Sequence, residues 1–336
     1  MALQQPVAIN GDPIAQARED ETDSSIDDSE SSLSATATLN SEAVNYQYKH
    51  GRRYHSYKAG RYDLPNDEAE QDRLDLQHEI WIEMLGDRLQ AAPVPDDVQD
   101  VLDVATGTGN WAIDFADRHP SARVIGVDLS PIQPTWVPPN CTFEIDDAEA
   151  PWTYSHKFDF IHGRTLTLGW RDWDNLCTQS LHHLRPNGWL EVDEFTYPTI
   201  CDCTPGTHAT PALHSEYLSL ITTAAAKRGV HMQTAQGMAA RFRRLGFVNV
   251  EIKTMKMYLA HDKFRRDVMN GLEGFALAFF TEQLGWSKAR VEEYVGKVRE
   301  AILEDGKGAE RGGHGYGYGH AYVPIWAVWG QKPAGE

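Results

Sequence analysis

The chain has 336 residues, 41% of them hydrophobic, and a formal net charge of −18 at pH 7. Its length suits one large domain with insertions or two small domains. The acidic balance disfavours direct binding to nucleic acids, although it is compatible with a basic protein partner. No hydrophobic run is long enough to span a membrane and no secretory signal is evident, so we expect an intracellular protein.

The N-terminal part divides into two segments. Residues 1–45 are rich in Ser, Asp and Glu. Such a segment buries too little apolar surface to offset the entropy lost on ordering, so it is predicted to be a disordered tail. Residues 46–97 are predicted to form a helical lead-in, because from Asp67 apolar side chains such as Leu74 and Trp81 recur at helical spacing.

A short strand, a glycine-rich turn and a helix start follow one another between Val101 and Trp111. This unit presents backbone N–H groups and a helix N-terminus to a ligand. The next strand ends at Asp128, where a carboxylate is placed to accept both hydroxyls of a ribose. The pattern predicts a site for an adenine nucleoside cofactor. Gly107 and Gly109 also fit the loose dinucleotide-binding pattern, so an NAD-dependent oxidoreductase is an alternative.

Two acidic positions favour S-adenosylmethionine over NAD. Asp103 lies inside the first strand and can meet an ammonium group, which S-adenosylmethionine has and NAD lacks. The third strand ends near Asp147, which suits the exocyclic amine of adenine, and the N–H of Ala148 suits a ring nitrogen. We therefore expect S-adenosylmethionine as the cofactor.

The remaining elements complete a doubly wound α/β pattern. Strands are predicted at 100–104, 123–127, 142–146, 158–162, 189–195, 248–258 and 322–330. Helices are predicted at about 67–85, 111–118 and 173–184, from Ala212 onward, and at 234–245. Two insertions, at about 198–222 and 263–304, exceed the minimal fold. We expect them to be helical in large part and to shape a substrate pocket, or, for the second, to form a dimer face.

The order of these motifs over residues 98–195 resembles the class I S-adenosylmethionine-dependent methyltransferases. A narrower resemblance, to the fungal LaeA-like methyltransferases, lies in the segments 53–57, 62–67, 70–78, 159–164 and 326–333. It implies that residues 98–336 form a Rossmann-like class I methyltransferase domain. The expected core is a seven-stranded, mostly parallel sheet with helical cap insertions.

The LaeA-like family includes regulators of fungal secondary metabolism, which work in the nucleus with velvet-family proteins, and enzymes that methylate secondary metabolites. The resemblance thus implies an S-adenosylmethionine-dependent methyltransferase whose acceptor is a small molecule or a protein. A catalytically weak regulator that acts through a velvet-type complex is an alternative. The expected location is the cytoplasm or the nucleus.

The strand ends supply the candidate site residues. His162 is predicted to line the cofactor site and is the first candidate general base, with Asp193 and Glu194 as further candidates. The predicted cofactor-binding set comprises Asp103, Ala105, Gly107, Gly109, Asp128, Leu129, Asp147, Ala148 and His162.

Three further side chains are expected near the site. Arg164 is expected to orient an acidic group of the substrate or to pair with Asp193, and Tyr57 and Arg61 are candidates to cover the methionine end of the cofactor. No metal site is expected, since the pair of cysteines at 201 and 203 has too few neighbouring ligands.

Overall fold

A central sheet flanked by helices forms the scaffold of the chain. The computed structural model describes residues 7–8, 45–197, 199–201, 212–310 and 321–335. Its strands are β1 (Val7–Ala8), β2 (Gln47–Lys49), β3 (Arg52–Tyr54), β4 (Asp100–Val104), β5 (Arg123–Asp128), β6 (Cys141–Ile145), β7 (Phe158–Arg164), β8 (Leu184–Phe195), β9 (Ile200–Cys201), β10 (Val248–Tyr258) and β11 (Ala321–Gln331). Its helices are α1 (Glu68–Leu85), α2 (Asn110–Arg118), α3 (Trp173–His183), α4 (Ala212–Lys227), α5 (Ala235–Leu245), α6 (Asp262–Ala276), α7 (Glu282–Leu284) and α8 (Lys288–Glu310), with a π-helical turn at Leu277–Thr281.

The main strands lie in the spatial order β6-β5-β4-β7-β8-β11-β10. The first five pair in parallel, whereas β11 is antiparallel to both of its neighbours. This confirms the predicted seven-stranded, mostly parallel sheet, which β1 and β9 extend by pairing with β6 and β11. The winding direction reverses between β4 and β7, and ligands of open α/β sheets bind in the crevice at such a reversal.

Helix α1 places one polar face over that crevice. The helix begins after Asp67, whose side chain accepts a hydrogen bond from the N–H of Glu70 at 3.2 Å, and it ends at Gly86, which has a φ of +73°. These are an N-cap and a left-handed C-cap. Ile80 and Trp81 are fully buried in the core. This packing fixes the orientation of the helix, and therefore where its polar side chains lie.

The fifth central strand begins earlier than predicted. The sequence favours a helix end and a turn at 184–188 followed by a strand from Trp189, whereas β8 already starts at Leu184. Asn187 has a φ of +66°, and its N–H donates to the carbonyl of Lys332 at 3.1 Å. Lys332 in turn donates to the carbonyl of Gly188 at 2.8 Å. Pairing with the chain after β11 holds this segment extended.

The second insertion, predicted to be helical over 263–304, is interrupted. Helix α6 continues into the π-helical turn and α7, and α8 starts only at Lys288. Gly285 has a φ of +70°, and Trp286 donates its N–H to the carbonyl of Phe280 at 3.0 Å. A glycine in the left-handed conformation ends a helix in this way.

Several expectations lie wholly or partly outside the described residues. Of the predicted tail only Val7–Ala8 is described, and these two residues pair with the edge strand β6. Cys203 and the stretches 202–211 and 311–320 are not described. Among the described helices, none is both long and apolar enough to cross a membrane. Within the same ranges no three His, Cys, Asp or Glu residues cluster as metal ligands do.

Candidate cofactor and acceptor sites

The glycine-rich turn after β4 is a tightly hydrogen-bonded loop. Ala105, Gly107 and Gly109 have φ values of +53°, +61° and +83°. The N–H of Thr106 donates to the carbonyl of Val127 at 3.0 Å, which ties the loop to the end of β5. Left-handed backbone at three alternate positions lets the loop turn sharply and expose its backbone at the sheet edge.

Asp128 supports this loop from below. Its Oδ2 accepts the N–H of Gly107 at 2.9 Å, and its Oδ1 accepts the N–H of Ser130 at 2.9 Å. Burial raises the pKa of Asp128 to about 6, and the two backbone donors oppose that rise. A carboxylate oxygen accepts more than one hydrogen bond, so Asp128 retains capacity toward the cavity that it lines.

Two cavities meet at the loop. The large cavity encloses about 840 Å³ at the carboxyl ends of the central strands. The polar cavity encloses about 430 Å³ next to it. Ala105, Gly107, Arg164 and Thr165 line both cavities, so the two are continuous around the loop. The predicted residues that line the large cavity are Ala105, Gly107, Asp128, Leu129, Asp147 and Ala148, and those that line the polar cavity are Asp103, Ala105, Gly107 and His162.

Gly109 differs from the other predicted residues of the loop. It is buried beneath the cavity surface, and a Cβ built on it would lie 2.8 Å from Cε1 of Phe143. Because Gly109 has no side chain, a core ring fits against it. Gly109 therefore shapes the loop and does not line the cavities.

The segment before α1 covers the acids that follow β6. The hydroxyl of Tyr57 donates to Asp146 Oδ1 at 3.1 Å, and Arg61 contacts Asp147 at 3.1 Å and Glu149 at 2.7 Å. Lys58 adds a contact to Asp147 at 3.4 Å. Hydrogen bonds and ion pairs hold Tyr57 and Arg61 at the acids that follow β6, and that these two side chains cover the methionine end of the cofactor stays a prediction.

Arg164 lies where the two cavities join. Its Nη2 donates to Nδ1 of His78 at 2.8 Å, and Nε2 of His78 lies 3.0 Å from Asp114. Nη1 of Arg164 is buried and has no hydrogen-bond partner among the described residues. A buried guanidinium with a free N–H group is suited to binding a carboxylate. The sequence suggested that Arg164 pairs with Asp193, but in the structure Arg164 contacts His78 instead.

His162 lies between two carboxyl groups. Nδ1 is 2.7 Å from Asp103 Oδ1, and Nε2 is 3.7 Å from Asp193 Oδ2. The ring stacks on Trp111 with a centroid distance of 3.8 Å. Burial acts to lower the pKa of His162, but the two carboxyl groups outweigh it and raise the pKa. Both ring nitrogens lie next to carboxyl groups, so this geometry favours a cofactor-lining role over the role of a general base.

Glu194 holds the chain that follows β7. Its Oε1 accepts the N–H of Leu166 at 2.6 Å and its Oε2 accepts the hydroxyl of Thr167 at 2.8 Å. Burial raises the pKa of Glu194 to about 8, against the effect of these two donors. Both oxygens are engaged, so Glu194 acts as a structural support for the segment 165–167.

The raised pKa of Glu194 predicts a pH-dependent stability. A carboxyl group whose pKa is higher in the folded than in the unfolded state stabilises the fold below pH 4.5, and that stability is lost as the pH rises toward 8. Glu194→Gln removes this titrating group. We therefore compare the free energy of unfolding of the variant with that of wild type at each pH, and we expect this difference to be higher at pH 9 than at pH 4.5 by about 2–4 kcal/mol. Urea unfolding at both pH values measures the difference. Glu304→Gln, at an exposed position of α8, is the control, and parallel pH profiles for Glu194→Gln and wild type would contradict the assignment.

A third cavity, the apolar cavity, lies beside the polar cavity and encloses about 590 Å³. Part of its wall consists of aromatic or aliphatic side chains of α4 and α6, namely Tyr217, Leu218, Ile221, Leu272 and Phe275. Gln77 of α1 lines both the apolar and the polar cavity, so the two adjoin at this residue.

Comparison with known proteins decides the family. A family model described as a methyltransferase domain matches residues 76–252. Methyltransferase pytC of Aspergillus terreus is 37% identical over 284 residues, which cover 81% of this chain and 87% of that protein. The chain belongs to the methyltransferase family.

Relatives named for regulation are also similar to this methyltransferase. The secondary metabolism regulator laeA of Aspergillus flavus is 31% identical over 80% of this chain and 76% of that protein. The protein-methionine methyltransferase laeA of Emericella nidulans is 31% identical over 80% of this chain and 75% of that protein. The LaeA-like resemblance is thus confirmed, and the NAD-dependent alternative is set aside.

Among solved structures, a phosphoethanolamine N-methyltransferase of Haemonchus contortus in complex with S-adenosyl-L-methionine is similar to this chain, with a TM-score of 0.49 and 14% identity. The match covers 90% of this chain and 74% of that chain. The methyltransferase domain and the sheet order described above identify S-adenosylmethionine as the cofactor.

The sequence placed the lead-in helix at the mouth of the cofactor site, but it did not assign site roles to individual residues of α1 or of the cap. Gln77 and His78 line the polar cavity, and Arg73 and Asp267 line the apolar cavity. A polar face on a lead-in helix was the available signal, but the sequence does not reveal which element that face meets.

Proposed function

We propose that this methyltransferase methylates a small molecule of fungal secondary metabolism, which binds in the apolar cavity. The observation that carries the proposal is the adjacency of this cavity to the polar cavity across Gln77. A largely apolar pocket that the cap helices α4 and α6 line in part suits a small organic acceptor better than a polypeptide.

The residues of the other two cavities fit S-adenosylmethionine part by part. Asp128 is placed for the ribose hydroxyls, and Asp147 with the backbone of Ala148 for adenine. In the polar cavity, Asp103 is placed for the ammonium group and the unpartnered Nη1 of Arg164 for the carboxylate. The charges of this donor set complement those of the methionine part.

The chain contributes mainly positioning and the exclusion of water. When it is bound, S-adenosylmethionine supplies an electrophilic methyl group and so needs no activation by the protein. The α1 side chains and the cap hold the acceptor at the end of the polar cavity, and the apolar walls keep water away from the reacting atoms. His162 and Asp103 keep the polar cavity pre-organised through their hydrogen bond.

A second candidate function is methylation of a protein, with a regulatory role through protein partners of the velvet type. Relatives named as regulators and as a protein-methionine methyltransferase favour it. In that role the methyltransferase would work in the nucleus, whereas a small-molecule acceptor is compatible with the cytoplasm. The two functions differ in the acceptor, so one labelling experiment separates them.

The test uses S-adenosylmethionine with a deuterated methyl group. The protein is incubated with a fungal culture extract that has been separated into small molecules and macromolecules, and labelled products are identified by mass spectrometry. The proposal expects label in the small-molecule fraction. Label confined to proteins, the enzyme itself included, would favour the regulatory candidate.

A cavity-filling variant locates the acceptor. Leu218, 8% exposed, lines the apolar cavity. Leu218→Trp, or the milder Leu218→Phe, is expected to lower transfer at least about tenfold by occupying acceptor space while cofactor binding by calorimetry stays within about twofold. Leu303→Trp, at a position 47% exposed on α8, is the matched control. Unchanged transfer by a folded Leu218 variant would place the acceptor elsewhere.

A further inference from the structure

A buried ionic cluster forms one wall of the otherwise apolar cavity. Nε and Nη2 of Arg73 donate to Glu70, at 3.0 and 2.7 Å, and Nη1 donates to Asp267 Oδ1 at 2.8 Å. All three residues are at most 6% exposed. Arg73 and Asp267 line the cavity, whereas Glu70 lies behind Arg73.

The charges of this cluster do not balance. One guanidinium faces two carboxyl groups, and Arg73 directs two of its three donor nitrogens to Glu70. Asp267 receives one N–H group from Arg73, and Gln77 lines the same cavity. A buried carboxylate is costly unless donors satisfy its lone pairs, and it has room for more than two. A further donor from a ligand in the cavity would complete the set.

Asp267 also lies on the side of the cavity that faces the cofactor. Gln77, which acts to lower the pKa of Asp267 and lines the apolar cavity with it, also lines the polar cavity together with Asp103 and His162. An acceptor atom that is bound to Asp267 would therefore lie near the junction of the two cavities. The three bases that the sequence suggested, His162, Asp193 and Glu194, do not line the apolar cavity.

We propose that Asp267 binds and deprotonates a hydroxyl group on an apolar ring system, so that the enzyme is an O-methyltransferase. This inference rests on the proposed function, because it assumes that the apolar cavity holds the acceptor. In the reaction the hydroxyl oxygen forms the new bond to the methyl carbon and its proton passes to the carboxylate of Asp267. The electrons of the broken S–C bond remain on the sulfur, which becomes a neutral thioether.

The electrostatics of the site suit this role. Burial raises the pKa of Asp267 to about 6, although Arg73 and Gln77 act to lower it. A carboxyl group with a pKa in this range is ionised at pH 7 and is a stronger base than an ordinary aspartate. The partial negative charge that develops on a hydroxyl oxygen is drawn toward the positively charged sulfonium, whereas a protonated amine would be repelled.

The test measures binding with three probes on one bicyclic frame: 5-indanol, 5-methoxyindane and 5-aminoindane. Each is titrated into the full chain saturated with S-adenosylhomocysteine. We expect wild type to bind 5-indanol about tenfold more tightly than the other two, because only the hydroxyl gives the buried carboxylate a strong donor. Asp267→Asn keeps the side-chain shape but replaces an acceptor oxygen with a donor, and it should abolish this preference.

Glu70→Gln is the matched control. It removes the other carboxylate of the same cluster without altering the cavity lining, so the preference for 5-indanol should persist. Thermal unfolding and S-adenosylhomocysteine affinity report whether each variant is folded.

Four outcomes would overturn the inference. The first is equal affinity of wild type for the three probes, and the second is a preference for 5-indanol that survives Asp267→Asn. The third is a loss of this preference in Glu70→Gln that equals the loss in Asp267→Asn. The fourth is an affinity for 5-aminoindane that equals the affinity for 5-indanol and also depends on Asp267. Probe binding that is insensitive to Leu218→Phe would instead contradict the proposed function, because the probes would then bind outside the apolar cavity.

Discussion

Gly109→Ala is expected to lower the free energy of unfolding by about 3 kcal/mol, the sum of backbone strain and overpacking. Gly109 has a φ of +83°, and a Cβ there would lie 2.8 Å from Cε1 of Phe143, a ring that is 1% exposed. Because the ring is buried, the ring, the loop or the sheet must shift to make room. Urea unfolding of the two proteins measures the loss.

Gly107→Ala is the matched control within the same loop. Its φ of +61° is also left-handed, but the nearest atom to a Cβ would be Cδ1 of Leu74 at 3.7 Å. We expect a stability loss of only about 1 kcal/mol. Because Gly107 lines both cavities, S-adenosylmethionine affinity should nevertheless fall. Equal stability losses for the two alanine variants would contradict the distinction between them.

Asp128→Ala is expected to weaken S-adenosylmethionine binding by about a hundredfold, since charge-assisted hydrogen bonds to a ligand contribute about 1.5–3 kcal/mol each. The variant also removes the support for the N–H groups of Gly107 and Ser130, so the loop loses part of its pre-organisation. Isothermal titration calorimetry at fixed ionic strength gives the change in Kd.

The control for Asp128→Ala is Asp117→Ala, which removes an exposed carboxylate from α2. Its Kd should stay within about twofold of wild type, because exposed charges outside the site contribute little. An Asp128 variant that is folded and binds with unchanged affinity would remove Asp128 from the cofactor site.

The loop and the acids at the strand ends were predictable because their placement is local. In a strand, turn and helix unit, spacing along the chain decides which residues face the ligand, and this holds for Gly107 and Asp128. The parallel order of the strands then brings Asp103 and His162 to the same edge of the sheet.

Residues that depend on long-range packing were not predictable. Arg73 and Asp267 are 194 positions apart, and they meet because α6 packs on α1. No pattern within either helix specifies that contact. The contacts of Tyr57 and Arg61 are likewise non-local, because both side chains bind acids that follow β6. Charge pairing across the fold decided their place.

The most direct test of the account is a crystal structure of the enzyme with S-adenosylhomocysteine bound. We expect the nucleoside in the large cavity with its ribose hydroxyls on Asp128, and the sulfur directed toward Gln77 and the apolar cavity. A nucleoside bound away from the 105–109 loop, or a sulfur that faces away from Gln77, would contradict it.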